Sequence, residues 1–185
     1  MGFYDNYSII IGMLFLFSKL CGLPVIELES QLRLATTSDV VVEPKDGRFL
    51  GFIVKVGSLF PKEQLVAAKD IVQLLPTAVL VDNADRISDI DDVIRVRELY
   101  KKHFGLLNKG VRTKSGKFLG KVDDFLISDE AQMLAKIYVK HMLVDRIIPY
   151  SAIVKIDEKK ITVKDDFEAL SVSEQTETST EAELA

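Results

Sequence analysis

Imidazole and thiol chemistry in this sequence of 185 residues is confined to three side chains, His103, His141 and Cys21. Nucleophilic catalysis needs a base within reach of the nucleophile and a third group to orient that base. Neither histidine has a neighbouring cysteine, a Ser-His-Asp order around it, or the spacing of a metal-ligand set. Both are expected to be structural or surface groups. A lone cysteine forms no disulfide within the chain and builds no thiolate metal site, which fits a reducing cytosol.

Two acidic groups could attract a cation. Asp85, Asp89, Asp91 and Asp92 lack the regular oxygen spacing and the glycine of a calcium loop. They suit the first turn of a helix, where the macrodipole favours negative charge. In Asp123, Asp124, Asp129 and Glu130, strand alternation sends Asp123 and Asp124 to opposite faces. Asp124, with Asp39 as its counterpart, is expected to cap a strand end or turn. No glycine-rich phosphate loop is present, and Gly116-Lys-Phe-Leu-Gly120 reads as a turn and strand. No catalytic residue, cofactor site or metal site is therefore assigned. A small-molecule enzyme is the least supported class.

Positive charge carries the strongest functional signal. Lys109, Arg112, Lys114, Lys117 and Lys121 form one cluster, and Lys155, Lys159, Lys160 and Lys164 a second. Such groups can meet RNA phosphates or anionic lipid, although a solvated lysine surface looks the same in sequence. Lysine outnumbers arginine and no aromatic run accompanies it, so base-specific reading is not expected. Charge is also partitioned along the chain. Residues 1–99 sum to −4, residues 100–164 to +7 and residues 165–185 to −7. The acidic tail could screen the basic segment until a partner competes.

These side chains must be positioned by something small and strand-rich. The segment Asp39-Val-Val-Val-Glu-Pro-Lys-Asp-Gly-Arg-Phe-Leu-Gly-Phe-Ile-Val-Lys55 aligns without gaps on Asp124-Phe-Leu-Ile-Ser-Asp-Glu-Ala-Gln-Met-Leu-Ala-Lys-Ile-Tyr-Val-Lys140, an offset of 85. Each copy opens on an aspartate, runs through apolar residues, turns, and returns as a strand ending Val-Lys. Glu43-Pro-Lys-Asp-Gly47 is hairpin chemistry, and Ser128-Asp-Glu-Ala131 does the same job. Ala68–Val72 matches Tyr150–Val154, and the short strands Ala78–Val81 and Lys160–Val163 close the copies. Short strands with turns between them suggest a small barrel or sandwich.

Between the copies a helix is expected. Ser88 and Asp91 offer a capping box, Val93, Val96, Tyr100 and Phe104 share a face, Glu98 can pair with Lys102, and Gly105 stops it. At the N-terminus, Tyr7–Phe17 is an apolar run of 11 residues, short of the roughly 20 that a membrane span needs. It lacks the basic flank of a secretory signal, and Met13 is an alternative start.

The second copy resembles the PRC-barrel family, named for the photosynthetic reaction centre H subunit and shared with the ribosome maturation factor that assists 16S rRNA processing. The resemblance is carried by Gly110-Val111, by Gly116-Lys-Phe-Leu-Gly-Lys-Val-Asp-Asp-Phe-Leu-Ile127 and by Ile148-Pro-Tyr-Ser-Ala-Ile153. The first copy is similar through Gly22–Val25, Ser38-Asp39, Asp46–Phe52 and Asp70-Ile71. It has Ala35 where the second has Gly120, and no Ile-Pro before its Asp-Ile. The resemblance implies small β-barrels of about six strands that serve in assembly and docking, with no shared catalytic site.

The expected molecule is mainly β. It has an apolar lead-in (1–21), a first barrel (22–85), a linker with a helix (86–107), a second barrel (108–165) and a disordered acidic tail (166–185). The expected function is a non-catalytic, cytoplasmic adaptor that docks a macromolecular partner, in the first instance a protein. Two alternatives stay open. One is an RNA or ribosome-maturation accessory that uses the basic second barrel. The other is a scaffold peripheral to the membrane and anchored by residues 1–17.

Overall fold

A computed structural model describes residues 13–166 and 170–171. The apolar N-terminal run is divided by it. Residues 1–12 lie outside the described part, while Leu14–Leu16 forms β1 and Phe17–Leu20 one helical turn, α1. The first barrel follows as β2 (Pro24–Glu27), β3 (Arg33–Val42), β4 (Phe49–Val56), β5 (Lys62–Ala67), β6 (Ile71–Leu75), β7 (Ala78–Val81) and β8 (Ile87–Ser88). The linker helix α2 spans Ile94–Lys101. The second barrel comprises β9 (Gly110–Thr113), β10 (Phe118–Ser128), β11 (Met133–His141), β12 (Val144–Pro149), β13 (Ile153–Ile156), β14 (Lys160–Val163) and β15 (Leu170–Ser171).

The strand orders are β6-β7-β2-β3-β4-β5-β8 and β13-β14-β9-β10-β11-β12-β15, the same path traced twice. Leu170 and Ser171, which the sequence assigns to the tail, pair with Ile147 and Arg146 of β12. They take the place that Ile87 and Ser88 take against β5. The rest of the tail lies outside the described residues.

The repeated aspartates have a local task. Along β3 the buried positions run Ala35, Thr37 and then Val40, Val42; along β10 they include Val122 and then Phe125, Ile127. The step of three interrupts the two-residue period of a strand. It coincides with a bulge between Thr37 and Asp39 and between Val122 and Asp124. There the Asp39 carboxylate accepts the Val40 N–H at 2.7 Å and the Asp124 carboxylate accepts that of Phe125 at 2.8 Å. Each aspartate therefore caps the bulge that re-aims its strand.

The two copies meet about an internal pseudo-dyad. Arg48 and Met133, equivalent at the offset of 85, form an antiparallel bridge with each other. The Phe49 N–H donates to the Gln132 carbonyl at 2.8 Å, and the Leu134 N–H to that of Gly47 at 2.7 Å. Gly47 holds φ at 72°, and a Cβ there would lie 2.5 Å from the Tyr150 ring. Buried side chains of both barrels, among them Phe52, Leu20, Phe125 and Ile127, form one continuous cluster. Burial of this apolar surface is the principal force holding the halves together.

Symmetry breaks at the outer edges of β3 and β10. β1 adds to β10 with Phe15 opposite Ile127, and the Asp129 N–H donates to the Met13 carbonyl at 3.1 Å. Phe17 stacks on Phe125 with ring centroids 4.7 Å apart. The chain ahead of the first barrel thus completes the second. Just past β3 the position equivalent to Asp129 is Pro44, which has no N–H to give. No strand is added there, and α2 packs Val96 on Ile53 of β4 and on Leu65 and Ala67 of β5. Arg95 reaches over to Glu43, a buried carboxylate, with both of their bonds at 2.5 Å.

Details of the linker differ from expectation. The reciprocal cap is shifted by one residue, with the Asp89 N–H donating to the Asp92 carboxylate at 3.2 Å. It closes a 3-10 turn at Ile90–Asp92. Glu98 pairs with Arg95, and Lys102 pairs with Glu158 of the second barrel. The buried face uses Leu99 where Tyr100 was expected, since Tyr100 is exposed. Helix termination falls to His103 and not Gly105. His103 has φ 49°, its N–H donates to the Tyr100 carbonyl, and the Phe104 N–H donates to that of Leu99.

Candidate functional site

The first concave feature is a groove of about 390 Å³ between β3 and the end of α2, where Asp39, Glu63, Tyr100 and His103 meet. Acid–base chemistry would need these groups linked and poised toward a reactant. They are tied down structurally. Tyr100 donates its hydroxyl to Glu63, which raises the phenol pKa and pins α2 to β5. Burial raises the Asp39 carboxyl above its ordinary value, while its hydrogen bond goes to its own strand. Ser38 donates to the Ile53 carbonyl. Among the described residues no hydrogen bond joins His103 to a carboxylate.

The second feature is the outer face of the second barrel. Cross-strand register sets Lys160, Gly110, Lys121 and Lys140 in one row over β14, β9, β10 and β11. A second row carries Lys155, Thr162, Arg112 and Phe118. Lys121, Lys140, Lys155, Lys160, Arg112 and Phe118 are all exposed. The Phe118 ring covers Gly110, with an aromatic carbon 3.5 Å from where a Cβ would sit. The Arg112 guanidinium lies 5.1 Å from the centre of that ring, and His141 meets its edge at 5.3 Å. Two stacked cation rows on one sheet face concentrate positive potential over a continuous surface.

The predicted basic residues are not equivalent. Arg112, Lys121, Lys155 and Lys160 come together on this face. Lys114, Lys117 and Lys164 stand at its end, where β9 and β14 finish and β10 begins. Lys159 is exposed on the β13–β14 turn. Lys155 is partnered by Asp157 at 2.6 Å, whereas Lys114, Lys117, Lys121, Lys159, Lys160 and Lys164 make no ion pair among the described residues. Lys109 has a different role. It is buried, its amine donates to the Glu158 carbonyl, and it lies 4.3 Å over the Phe104 ring. Desolvation pulls its pKa down. Lys109 thus fastens the linker to the second barrel. Lys140 is the addition. It closes the repeated Val-Lys motif, but only the ladder register places it beside Lys121.

Two hairpin tips project apolar side chains, Leu59 and Phe60 between β4 and β5, and Met142 and Leu143 between β11 and β12. Among the described residues no group of His, Cys, Asp and Glu is arranged to hold a metal ion. No helix there is long and apolar enough to cross a membrane.

Comparison with curated proteins finds no match. A family model for the PRC-barrel domain matches twice, over residues 13–102 and 105–170. The first match takes in β1 through α2, and the second runs from the start of the second barrel into β15. With the same strand path, the same capped bulge and the same pairing across a dyad in both halves, the chain belongs to the PRC-barrel domain family and carries two copies of the domain.

Proposed function

We propose that this chain is a non-catalytic docking protein that receives a negatively charged macromolecular partner on the outer face of β13, β14, β9, β10 and β11. The single observation that carries this reading is the row Lys160, Lys121 and Lys140, exposed and without ion pairs among the described residues. Like charges held side by side repel one another, and an anionic partner converts that repulsion into attraction. The lone Cys21, whose thiol is pushed up to about 11 by burial and then by Asp39 and Asp124, fits a structural role in a reducing cytoplasm.

The test compares Lys121→Glu/Lys140→Glu/Lys160→Glu with a control of equal charge change on the first barrel, Lys45→Glu/Lys55→Glu/Lys69→Glu. Binding of the full chain to a model polyanion such as polyU RNA is measured at low salt. The reading expects the first triple variant to lose about tenfold or more in affinity while the control loses less. Equal losses in both would mean that net charge alone governs binding, and the face would lose its standing.

A further inference from the structure

The β11–β12 turn is hard to explain as a connection. His141 pairs with Val144, so Met142 and Leu143 are its two central residues. Met142 holds φ at 55°, the left-handed region. A two-residue turn with positive φ at its first central position favours glycine there. Methionine there brings strain, and both central side chains are exposed, 84% for Met142 and 100% for Leu143. Among the described residues neither side chain is covered by the fold. Strain combined with exposed apolar side chains points outward, to something that takes them up.

The surroundings identify what that is. β9 and β14 are parallel, and β10 is antiparallel to both β9 and β11. β9, β11 and β14 therefore all finish at the end of the sheet that carries the turn. Lys140 stands two residues before Met142 and Lys121 opposite it. Lys114 and Lys117 occupy the β9–β10 turn, and Lys164 follows β14. The equivalent tip on the first barrel lacks this setting: Leu59 and Phe60 are followed by Lys62, whose amine is bound to Asp89 at 2.6 Å, and Lys55 faces Glu63.

We infer that the second barrel docks on an anionic lipid surface, with Met142 and Leu143 entering the acyl boundary and Lys114, Lys117, Lys121, Lys140 and Lys164 meeting the headgroups. The inference rests on the reading of the basic face as the receiver of a negative partner. It names that partner by the one property RNA lacks, an apolar layer beneath the charge. Lysines with flexible apolar stems suit this depth, carrying their ammonium groups to the phosphates while the stems lie against the boundary.

The test uses the full chain, sedimented with vesicles of phosphatidylcholine containing about 30% phosphatidylserine, with phosphatidylcholine vesicles and polyU RNA in parallel. Met142→Gly/Leu143→Ser gives the turn residues its backbone favours, so melting temperature should hold or rise. Its binding to the anionic vesicles should fall about tenfold, with polyU binding unchanged. Lys121→Glu/Lys140→Glu should weaken binding to vesicles and RNA alike. Vesicle binding untouched by Met142→Gly/Leu143→Ser, or polyU binding with no vesicle binding, overturns the lipid inference and leaves the docking reading in place. Failure of the unaltered chain to bind either surface removes both.

Discussion

At the scale of single residues the clearest dependence is between Glu43 and Arg95. Glu43 is buried, and the hydrogen bond from Arg95 is the largest influence holding its carboxyl below the ordinary value of 4.5. Arg95→Ala leaves a buried carboxylate without its partner and should cost about 2 kcal/mol at neutral pH. A group whose folded pKa is depressed contributes stability above its unfolded pKa and loses it as pH falls through the folded value. The difference between the two proteins should therefore shrink below about pH 4.5; denaturant titrations across that range check it. Cys21 offers a second test. With its pKa raised to about 11, alkylation by iodoacetamide in the native protein should be slow at pH 8 and speed up toward pH 11. Fast labelling of folded protein at pH 8 would contradict the half-buried placement beside Asp39 and Asp124. Sequence disclosed neither residue's surroundings. Glu43 reads as the start of a turn, and its burial is created by a helix about 50 residues further on.

At the scale of elements, what can be read depends on how local the cause is. The hairpins and the helix were legible because turn chemistry and periodicity act over a few residues; Asp39 and Asp124, expected to cap a turn or strand end, instead cap bulges within β3 and β10. β1 was not. Three apolar residues have no period to measure, and their partner strand lies more than 100 residues away. The apolar run that resembled a lead-in is in part a piece of the second barrel. Phe15→Ala should accordingly cost about 3 kcal/mol, and the added amide-hydrogen exchange should appear on the β1-facing edge of β10. Exchange confined to the first barrel would contradict the crossed pairing. Gly47→Ala acts at the dyad, where the new Cβ would enter the Tyr150 ring and the backbone is already left-handed. It should lower stability by about 2 kcal/mol, seen as a lower denaturation midpoint. Lys109 and Lys140 show the same boundary in the functional site. Both are lysines in a basic segment, and only packing and register separate the buried clamp from the exposed basic row.

At the scale of the whole molecule the repeat is unequal by design of its surfaces. One copy has an edge closed by a strand and an exposed basic face; the other has Pro44 at the equivalent position and α2 packed on β4 and β5. Screening of that face by the acidic C-terminal residues would act through charge. Removing residues 172–185 deletes four carboxylates and spares β15. Affinity for a polyanion should then rise at low salt, and the gain should vanish as salt screens it. Equal affinity with and without those residues at low salt would exclude screening. The most direct test of the docking face is the salt dependence of polyU binding by the unaltered chain and by Lys121→Glu/Lys140→Glu/Lys160→Glu. Three lost phosphate contacts should reduce the steepness of log affinity against log salt by about 2. An unchanged slope would mean that the row Lys160, Lys121 and Lys140 does not touch the partner.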